Sequence, residues 1–325
     1  MQPVRVGVWG VGVWGEKHAR VYHALPEAEL VGVFDHHAGR AETVAARHGC
    51  RAFASADAML AECEAVSIAV PTIGHREAVE QAAAARRHVL VEKPMAFDVA
   101  DADAMLQAAS RAGVTLQVGQ VERFNPALLA ARAHVRTPMF IECHRLAPFQ
   151  PRSLDIDVVF DLMIHDLDAV LDCVGASPSA VSAVAVAVLS RNEDIANARL
   201  EFANGCVANL TASRVSQERL RRIRFFQSDS YLSVDLFEKT ADLLRIDPTK
   251  FRPEAPHEAI RRASLEIGGG EPLTLELEAF VRSLRGQGAG AASGAAGRAA
   301  LAVAADVREA MKRRARQWAT PSAAS

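Results

Sequence analysis

A histidine and several aspartates cluster in the segment DLMIHDLD, residues 161–168, inside an otherwise apolar stretch. In a helix at 100° per residue, His165 shares one stripe of about 80° with four aspartates. These four are Asp157, Asp161, Asp168 and Asp172. Asp161 lies one turn before His165, and a histidine of ordinary pKa, ~6.5, can accept a proton at neutral pH. The pair therefore predicts either general-base chemistry or a solvated helix face, and the rest of the chain has to decide.

The other aspartates of this segment are expected to play structural or solvated roles. Asp166 lies off the stripe and is expected to pair with another part of the chain. We expect Asp157, Asp168 and Asp172 to face solvent. No further cluster of ligand residues accompanies Asp161 and His165, so we predict no metal.

A glycine-rich segment follows the first apolar run of the chain, with Gly10, Gly12 and Gly15 in the spacing G-x-G-x-x-G. Gly10 permits a tight turn, Gly12 lets the backbone approach a pyrophosphate, and Gly15 lets a helix pack close to a strand. The start of that helix offers N–H groups to an anion. We therefore predict a dinucleotide cradle, to which Val13 and Trp14 of the same loop contribute.

An acidic residue ends the next apolar run. Asp35 lies about 20 residues after Gly15, where a carboxylate can bind the ribose hydroxyls of a dinucleotide. Its charge favours NAD, because the 2′-phosphate of NADP would meet a like charge. His36, His37 and Arg40 follow closely and keep NADP as the alternative.

A lysine stands at the end of another apolar run, in the sequence Glu92-Lys93-Pro94. Ligands of open α/β sheets bind at the carboxyl ends of the strands, so Lys93 is expected to project into a site. Further candidates for cofactor binding at strand ends are Pro71, Thr72, His75, Glu92 and Gln120. Arg123 and Asn125, after the run that ends at residue 119, are candidates for substrate binding. The alternative for Arg123 is a salt bridge to Glu122.

Strand-like apolar runs alternate with helix-like segments through the first 120 residues. The runs are 4–10, 29–35, 65–70, 88–93 and 114–119, and helices are expected around 15–24, 39–48, 74–86 and 98–112. Apolar, β-branched runs between helices predict a parallel sheet covered on both faces and joined by right-handed crossovers. The N-terminal part is therefore expected to be a doubly wound α/β Rossmann domain.

The pattern changes after residue 135. One helix is expected at about 158–174, followed by strands at 179–189, 196–203, 206–214, 221–227, 230–236 and 241–246. Asn204-Gly205 is a hairpin signal, and strands without intervening helices predict an open, mostly antiparallel sheet in an α+β domain. Two helices, near 271–285 and 296–316, are expected to follow.

Three regions result from this pattern. We expect a dinucleotide-binding domain at 1–122 and a substrate-binding and oligomerisation domain at 123–285. Residues 286–325 are expected to form a mobile Gly/Ala-rich loop (286–297), a closing helix and a disordered tail.

Bulk properties exclude several classes of partner. The chain has 325 residues and a formal net charge of −2, so it has no long-range attraction to nucleic acid or an anionic membrane. No apolar run reaches the ~20 residues of a membrane span, and no leader-like segment precedes the first strand. The five cysteines are scattered without CxxC spacing, which is typical of reduced thiols. We therefore expect a cytoplasmic protein.

Taken in order, GxGxxG, Pro71-Thr72-x-x-His75, Glu92-Lys93-Pro94 and Asp161-x-x-x-His165 resemble the Gfo/Idh/MocA oxidoreductase family. The resemblance implies a Rossmann domain followed by an α/β domain. It also implies NAD(P)-dependent hydride transfer at a CH–OH group of a sugar, cyclitol or related alcohol. Lys93, Asp161 and His165 then occupy the catalytic positions and also contact the substrate.

Further stretches, among them ERFNPA and the arginine-rich segment around ERLRRIRFF, resemble a subgroup of this family that acts on nucleotide sugars. That resemblance implies oxidation at C3 of UDP-N-acetylglucosamine, towards amino sugars of lipid A. A diphosphate needs cations, and Arg214, Arg219, Arg221 and Arg222 are candidates.

Alternatives of other classes stay open on the sequence. They are a cyclitol or free-sugar dehydrogenase of the same family, an NAD-dependent glycosidase, and a non-catalytic Rossmann protein that senses nucleotide state. The alternation in AVSAVAVAV and the family resemblance together predict a homodimer or homotetramer formed through the second sheet.

Overall fold

The computed structural model describes residues 2–151, 156–288 and 292–319. The chain divides into two compact units. The first comprises the chain up to Phe124 together with Gly270–Leu301, and the second comprises Asn125–Gly269 together with the chain from Ala302 onwards.

The first unit is a sheet with helices, built from the predicted alternation. Its strands are β1 (Val4–Trp9), β2 (Ala28–Phe34), β3 (Arg51–Ala52), β4 (Ala65–Ile68), β5 (His88–Glu92), β6 (Leu116–Gly119) and β15 (Ala292–Ser293). Its helices are α1 (Val13–Ala24), α2 (Ala38–His48), α3 (Ala56–Glu62), α4 (His75–Ala84), α5 (Val99–Ala112) and α8 (Pro272–Ser283). The strand order is β15-β6-β5-β4-β1-β2-β3, and only β15 runs antiparallel to its neighbour. The predicted Rossmann sheet is confirmed.

Local sequence explains where these elements begin and end. Ser55 caps α3 by accepting the N–H of Ala58, and Asp98 caps α5 by accepting the N–H of Asp101. α5 ends at Gly113 in the left-handed conformation that favours glycine. The strands between the helices are buried on both faces, as their continuous apolar composition requires.

The second unit contains an eight-stranded sheet. Its strands are β7 (Phe140–Leu146), β8 (Ala180–Val186), β9 (Ile195–Glu201), β10 (Val207–Ser213), β11 (Leu220–Phe226), β12 (Ser230–Asp235), β13 (Thr240–Ile246) and β14 (Ile260–Ser264). The order is β14-β13-β12-β11-β7-β10-β9-β8, antiparallel except between β7 and β10. The helices α6 (Pro126–Arg132) and α7 (Ile164–Val174) belong to this unit. Helix α9 (Gly294–Ala319) begins in the first unit and ends in the second. The expected mostly antiparallel sheet is confirmed.

Several elements escaped the sequence analysis. Strand β7 lies in the middle of the second sheet, where its side chains alternate between buried and half-buried. The helix expected at 158–174 has a π-helical turn, Val159–Met163, before α7. This turn departs from the 100° period on which the acidic stripe was drawn.

The Gly/Ala-rich segment is more ordered than expected. Residues 292–293 form β15, and α9 begins at Gly294. A Cβ on Gly294 would lie 2.8 Å from Leu106 Cδ2, and one on Gly297 would overlap the side chain of Val118. Small residues are therefore needed here for close packing, which corrects the expectation of a mobile loop for residues 292–297. Residues 289–291, and 320–325 of the expected tail, lie outside the described residues.

Helix α8 groups with the first unit, whereas the sequence placed residues up to 285 in the second region. Its apolar face joins the core cluster of the Rossmann sheet through Leu273, Leu277, Phe280 and Val281. The sequence predicted the helix, but tertiary packing decided which surface it covers.

The open face of the second sheet is less apolar than AVSAVAVAV suggested. Across its centre Arg224 pairs with Glu142 at 2.7 Å, and the exposed positions of β9 are polar. Phe140, Phe226 and Tyr231 form an aromatic cluster, in which the ring of Phe226 contacts both of the others. Within the described residues, no helix has both the length and the apolar character to cross a membrane.

Candidate active site

The glycine loop between β1 and α1 has the geometry of a dinucleotide cradle. Gly10 adopts φ +83°, and a Cβ there would lie 2.8 Å from the backbone nitrogen of Val70. A Cβ on Gly15 would overlap the carbonyl oxygen of Gly10. A Cβ on Gly12 would meet nothing within 4 Å. Gly10 and Gly15 are therefore required by the fold, while Gly12 faces open space in which a phosphate group can approach the protein backbone.

The carboxylate of Asp35 is held beside this loop. It accepts the N–H of Val11 at 2.9 Å and that of His37 at 2.9 Å, and Arg40 lies 3.4 Å away. Burial alone would raise the pKa of Asp35, but the two backbone hydrogen bonds and the Arg40 charge hold it below its ordinary value. Asp35 is therefore ionised at neutral pH, where it can accept ribose hydroxyls.

Apolar side chains stand in solvent around the carboxyl ends of β1 and β4. Val13 is 74% exposed, Trp14 43% and Ile73 86%. Lys17 Nζ lies 4.4 Å from the ring centroid of Trp14. Pro71 precedes the short 3₁₀ turn Thr72–Gly74 that carries Ile73. Ile73 lies between two predicted site residues, Thr72 and His75, but was not itself predicted from the sequence.

Glu92 ends β5 and Lys93 follows it, and the side chain of Glu92 is hydrogen-bonded to its surroundings. Its Oε1 accepts from His18 Nε2 at 2.9 Å, and its Oε2 accepts the Lys93 N–H at 3.1 Å. Burial raises the pKa of Glu92, but His18 and the Lys93 charge outweigh it and lower the pKa overall. The Lys93–Pro94 peptide is cis. Glu92 therefore positions the backbone that carries Lys93.

His75 also positions this segment. Its ring is buried, with Nε2 2.9 Å from the carbonyl oxygen of Val70 and Nδ1 3.0 Å from that of Pro94. Burial lowers its pKa more than these carbonyls raise it, so the ring is neutral at physiological pH. His75 thus joins the end of β4 to the chain after β5.

The three candidates after β6 differ in their surroundings. Gln120 is 2% exposed, and its Oε1 has no hydrogen-bond partner among the described residues. Arg123 is half-buried in the 3₁₀ turn Val121–Phe124. Asn125 caps α6 by accepting the Ala127 N–H, and its Nδ2 donates to the Leu236 carbonyl. The amide of Asn125 is therefore engaged by its own chain at both ends.

These observations fit an NAD molecule in the first unit. Space at Gly12, the N-terminus of α1, the ionised Asp35 and the orphan oxygen of Gln120 all lie at the carboxyl edge of one parallel sheet. The residues that would hold NAD are Gly10, Gly12, Val13, Trp14, Gly15, Asp35 and Gln120.

In the second unit, the helix after residue 157 presents Asp161 and His165. Asp157 caps its start, since Oδ1 accepts the N–H groups of Val159 and Phe160 at 3.0 and 3.1 Å. Burial raises the pKa of Asp157, more than these hydrogen bonds lower it. Asp161 is 6% exposed and His165 is half-buried.

The remaining aspartates divide differently from expectation. Asp166 forms a bidentate ion pair with Arg145 of β7 at 2.9 and 2.8 Å, which confirms its structural role. Asp172 pairs with Arg132 and keeps 15% of its side chain exposed. The expectation that Asp157 and Asp168 face solvent is wrong, because they are 8% and 2% exposed. The π-helical turn and the packing of α7 on the sheet bury positions that a regular solvated stripe would leave outside.

A pocket of about 150 Å³ opens beside Asp161 in the second unit. Its lining combines this one carboxylate with several arginines: Arg145, Leu146, Ala147, Pro148, Gln150, Asp161, Leu162, Arg214, Arg219 and Arg221. Guanidinium groups in a pocket lining suit a phosphate-bearing ligand.

The four candidate arginines have separate surroundings. Arg214 is buried against Asp194 at 2.8 Å, and Arg222 pairs with Asp235 at 2.8 Å outside the pocket lining. Arg219 lies over the ring of Phe237 at 5.4 Å and, like Arg221, lines the pocket. Among residues 2–151, 156–288 and 292–319, no group of three or more His, Cys, Asp or Glu side chains is arranged to hold a metal ion.

Known proteins match the chain over nearly its whole length. A family model for an oxidoreductase family with an NAD-binding Rossmann fold matches residues 4–120, and one for the GFO/IDH/MocA C-terminal domain matches residues 127–232. The UDP-N-acetylglucosamine 3-dehydrogenase of Acidithiobacillus ferrooxidans is 43% identical over 310 residues, 95% of this chain and 97% of that protein. A solved structure of a UDP-N-acetylglucosamine 3-dehydrogenase from the same organism superposes with a TM-score of 0.90, covering 96% of this chain and 99% of that one at 42% identity. An inositol 2-dehydrogenase of Rhizobium meliloti is 28% identical over 65% of this chain and 69% of its own.

The two family matches cover both units, and the cradle at the carboxyl edge of the first sheet fits the cofactor of that family. The chain therefore belongs to the Gfo/Idh/MocA family of oxidoreductases and binds NAD through its Rossmann domain.

Proposed function

We propose that this protein oxidises the C3 hydroxyl of UDP-N-acetylglucosamine with NAD, towards the amino sugars of lipid A. The observation that carries the proposal is the 43% identity to a UDP-N-acetylglucosamine 3-dehydrogenase over 95% of this chain and 97% of that protein. A relationship of this extent includes both the cofactor-binding and the substrate-binding regions.

The catalytic roles in this proposal are assigned residue by residue. His165 accepts the proton of the reacting hydroxyl, and Asp161, one turn earlier, orients the ring or the substrate. Lys93 donates an N–H to the reacting oxygen as its C–O bond gains double-bond character. NAD, when bound, supplies the acceptor for the hydride that leaves the same carbon.

The pocket beside Asp161 supports a nucleotide-sugar substrate. Arg219 and Arg221 line it, and we assign them to the diphosphate. Arg145 and Arg214 form ion pairs with the buried Asp166 and Asp194. We also assign Arg123 and Asn125 as substrate contacts. Because the side-chain amide of Asn125 is engaged by its own chain, its contact with the substrate comes from its main chain.

Absorbance of NADH tests the proposal directly. The protein with NAD and UDP-N-acetylglucosamine is expected to form NADH, and His165→Gln and Lys93→Met are expected to lose at least about 10²-fold in turnover while NAD still binds by calorimetry. His257→Gln, at an exposed histidine, is the matched control. Full turnover by His165→Gln would contradict the assigned roles.

The same assay separates the alternatives. Turnover of inositol or glucose without turnover of any UDP-sugar would keep the dehydrogenase class and reject the substrate. The inositol 2-dehydrogenase among the relatives makes this the second candidate. Cleavage of a glycoside without accumulation of NADH would indicate the NAD-dependent glycosidase, and unchanged cellular function of the Lys93 and His165 variants would indicate a sensor.

We also propose a cytoplasmic homodimer or homotetramer assembled through the second sheet. Half-exposed aromatic side chains on its open face, Phe140, Phe226 and Tyr231, support an association surface. Light scattering after size exclusion measures the state directly, and Phe226→Glu is expected to shift it to monomer.

A further inference from the structure

A second pocket lies in the first unit, at the amino edge of its sheet. It has a volume of about 160 Å³ and is lined by the first residues of β1 and β5, the residue before β4, and residues that follow α4 and α8. Its charged and titratable lining residues are Glu64, Arg86, Arg87, His88 and Arg285. The glycine loop and Lys93 lie at the opposite, carboxyl edge, separated from His88 by the length of β5, about 13 Å.

The charge in this pocket is strongly positive. Three arginines face one carboxylate, and that carboxylate is already occupied: Glu64 Oε2 accepts the Arg5 N–H at 3.1 Å and Oε1 accepts Arg285 Nη1 at 3.3 Å. Burial raises the pKa of Glu64, but these arginines outweigh it and lower the pKa overall. Glu64 is therefore satisfied by Arg5 and Arg285, which leaves the exposed Arg86 and the half-buried Arg87 without a carboxylate partner in the pocket lining.

Arg86 and Arg87 have no side-chain acceptor within the described part of the chain. Arg87 Nε is buried and lacks a hydrogen-bond partner there. A buried guanidinium N–H without an acceptor is rare in folded proteins and indicates an anion or a water at that point. His88 adds a further donor, because its Nδ1 accepts the Thr115 N–H at 3.0 Å and a neutral ring then carries its proton on Nε2.

The backbone at Arg86 supplies independent support. Arg86 and Arg87 close α4 with N–H groups that donate to Ala83 and Ala82, the pattern of a helix end that usually has glycine at the first of the two positions. Arg86 adopts φ +59° there, in the left-handed region that disfavours a side chain. Arg86 thus carries a long cationic side chain at a backbone position that favours glycine, next to the pocket.

We propose that this pocket binds a phosphate group, carried by free inorganic phosphate or by a phosphomonoester. A phosphate dianion matches these two guanidinium groups in charge, and its several oxygens can accept from Arg86, Arg87 and His88 together. A single carboxylate would leave one of the two positive charges unmatched.

Calorimetric titration of the full chain tests the site. Saturating NAD occupies the dinucleotide cradle, saturating UDP occupies the proposed diphosphate pocket beside Asp161, and ionic strength is held constant with potassium chloride. One arm uses inorganic phosphate and the other uses glycerol 3-phosphate, so the tighter of the two identifies the source. We expect one saturable site, which is weakened at least tenfold, about 1.4 kcal/mol, by Arg87→Gln and by Arg86→Gly.

Two features keep this experiment decisive. Arg86→Gly places glycine at a left-handed position, so this variant is expected to fold with a melting temperature no lower than that of the wild type. Arg111→Gln removes an exposed arginine from α5 and is expected to bind phosphate like the wild type. The proposal is overturned if the wild type shows no saturable binding up to roughly 10 mM, or if Arg86→Gly and Arg87→Gln bind as the wild type does.

Discussion

Replacing Asp166 by asparagine should loosen the second unit far more than the same change at Asp172, on the same helix. Asp166 receives two hydrogen bonds from Arg145, at 2.9 and 2.8 Å, and both side chains are almost fully buried. Asp172 pairs with Arg132, whose side chain is 49% exposed. The two substitutions are therefore chemically identical, and the ion pairs that they break differ in burial.

The expected magnitudes follow from that difference. Removing one partner of a buried ion pair leaves an uncompensated charge and costs about 3–5 kcal/mol. An exposed pair contributes about 0–1 kcal/mol. Against a typical free energy of unfolding of about 5–15 kcal/mol, Asp166→Asn removes a large share of the stability, and Asp172→Asn removes little.

Hydrogen exchange read by mass spectrometry is the suitable assay, since a chain of two units need not unfold in one step. Peptides from β7 and α7 report the local opening free energy on either side of the ion pair. A loss of 3–5 kcal/mol accelerates their exchange about 10²- to 10⁴-fold, while Asp172→Asn accelerates it less than about tenfold.

A double variant checks the reasoning from the other side. Arg145→Met combined with Asp166→Leu removes both charges and fills the space with apolar atoms, so it should be more stable than Asp166→Asn alone. If Asp166→Asn exchanges no faster than Asp172→Asn, the pair does not hold α7 on the sheet, and the argument fails.

Three further predictions concern the cradle and a buried carboxylate. Gly12→Ala should fold normally and weaken NAD binding at least tenfold, about 1.4 kcal/mol, whereas Gly15→Ala, whose Cβ would overlap the Gly10 carbonyl, should lower the melting temperature; equal melting of both would contradict the geometry. Asp35→Ala should lose about 1–3 kcal/mol of NAD affinity and bind NADP relatively better, as fluorescence titration of both cofactors would show; an unchanged ratio would count against its role. Burial would raise the pKa of Asp194, but hydrogen bonds hold it well below 3.8 in the folded protein. The stabilisation that ionised Asp194 provides is therefore full above about pH 4 and is lost as the pH falls through the lower folded pKa. The difference in unfolding free energy between the wild type and Asp194→Asn should shrink below about pH 4.

The dinucleotide half was readable because its signals are local. Strands β1, β2, β4, β5 and β6 are short apolar runs, and the glycine spacing needs only the turn that it forms. The short α3 and the two-residue β3 were missed, since neither is long enough to show a period. Strand β7 was missed because Glu142, His144 and Arg145 interrupt its apolar character.

The candidate site was readable in identity but not in surroundings. The sequence named Asp161, His165 and Lys93, and the structure added what holds them: Glu92 and His18 near Lys93, and Asp157 at the start of the helix. His18 belongs to α1, far from Glu92 along the chain, so no local pattern connects the two. The pocket at the amino edge of the first sheet could likewise not be predicted from the sequence, because its residues come from separate elements.

By itself, the sequence determined the element types, the cradle and the family, since each depends on neighbours within a few residues or on a motif read in order. The tertiary structure decided which charges are buried. Asp166 and Asp172 have the same side chain on the same helix, yet one is enclosed with Arg145 and the other reaches solvent. Burial depends on contacts between residues distant in the chain, and it sets both the pKa of a group and the cost of removing its partner.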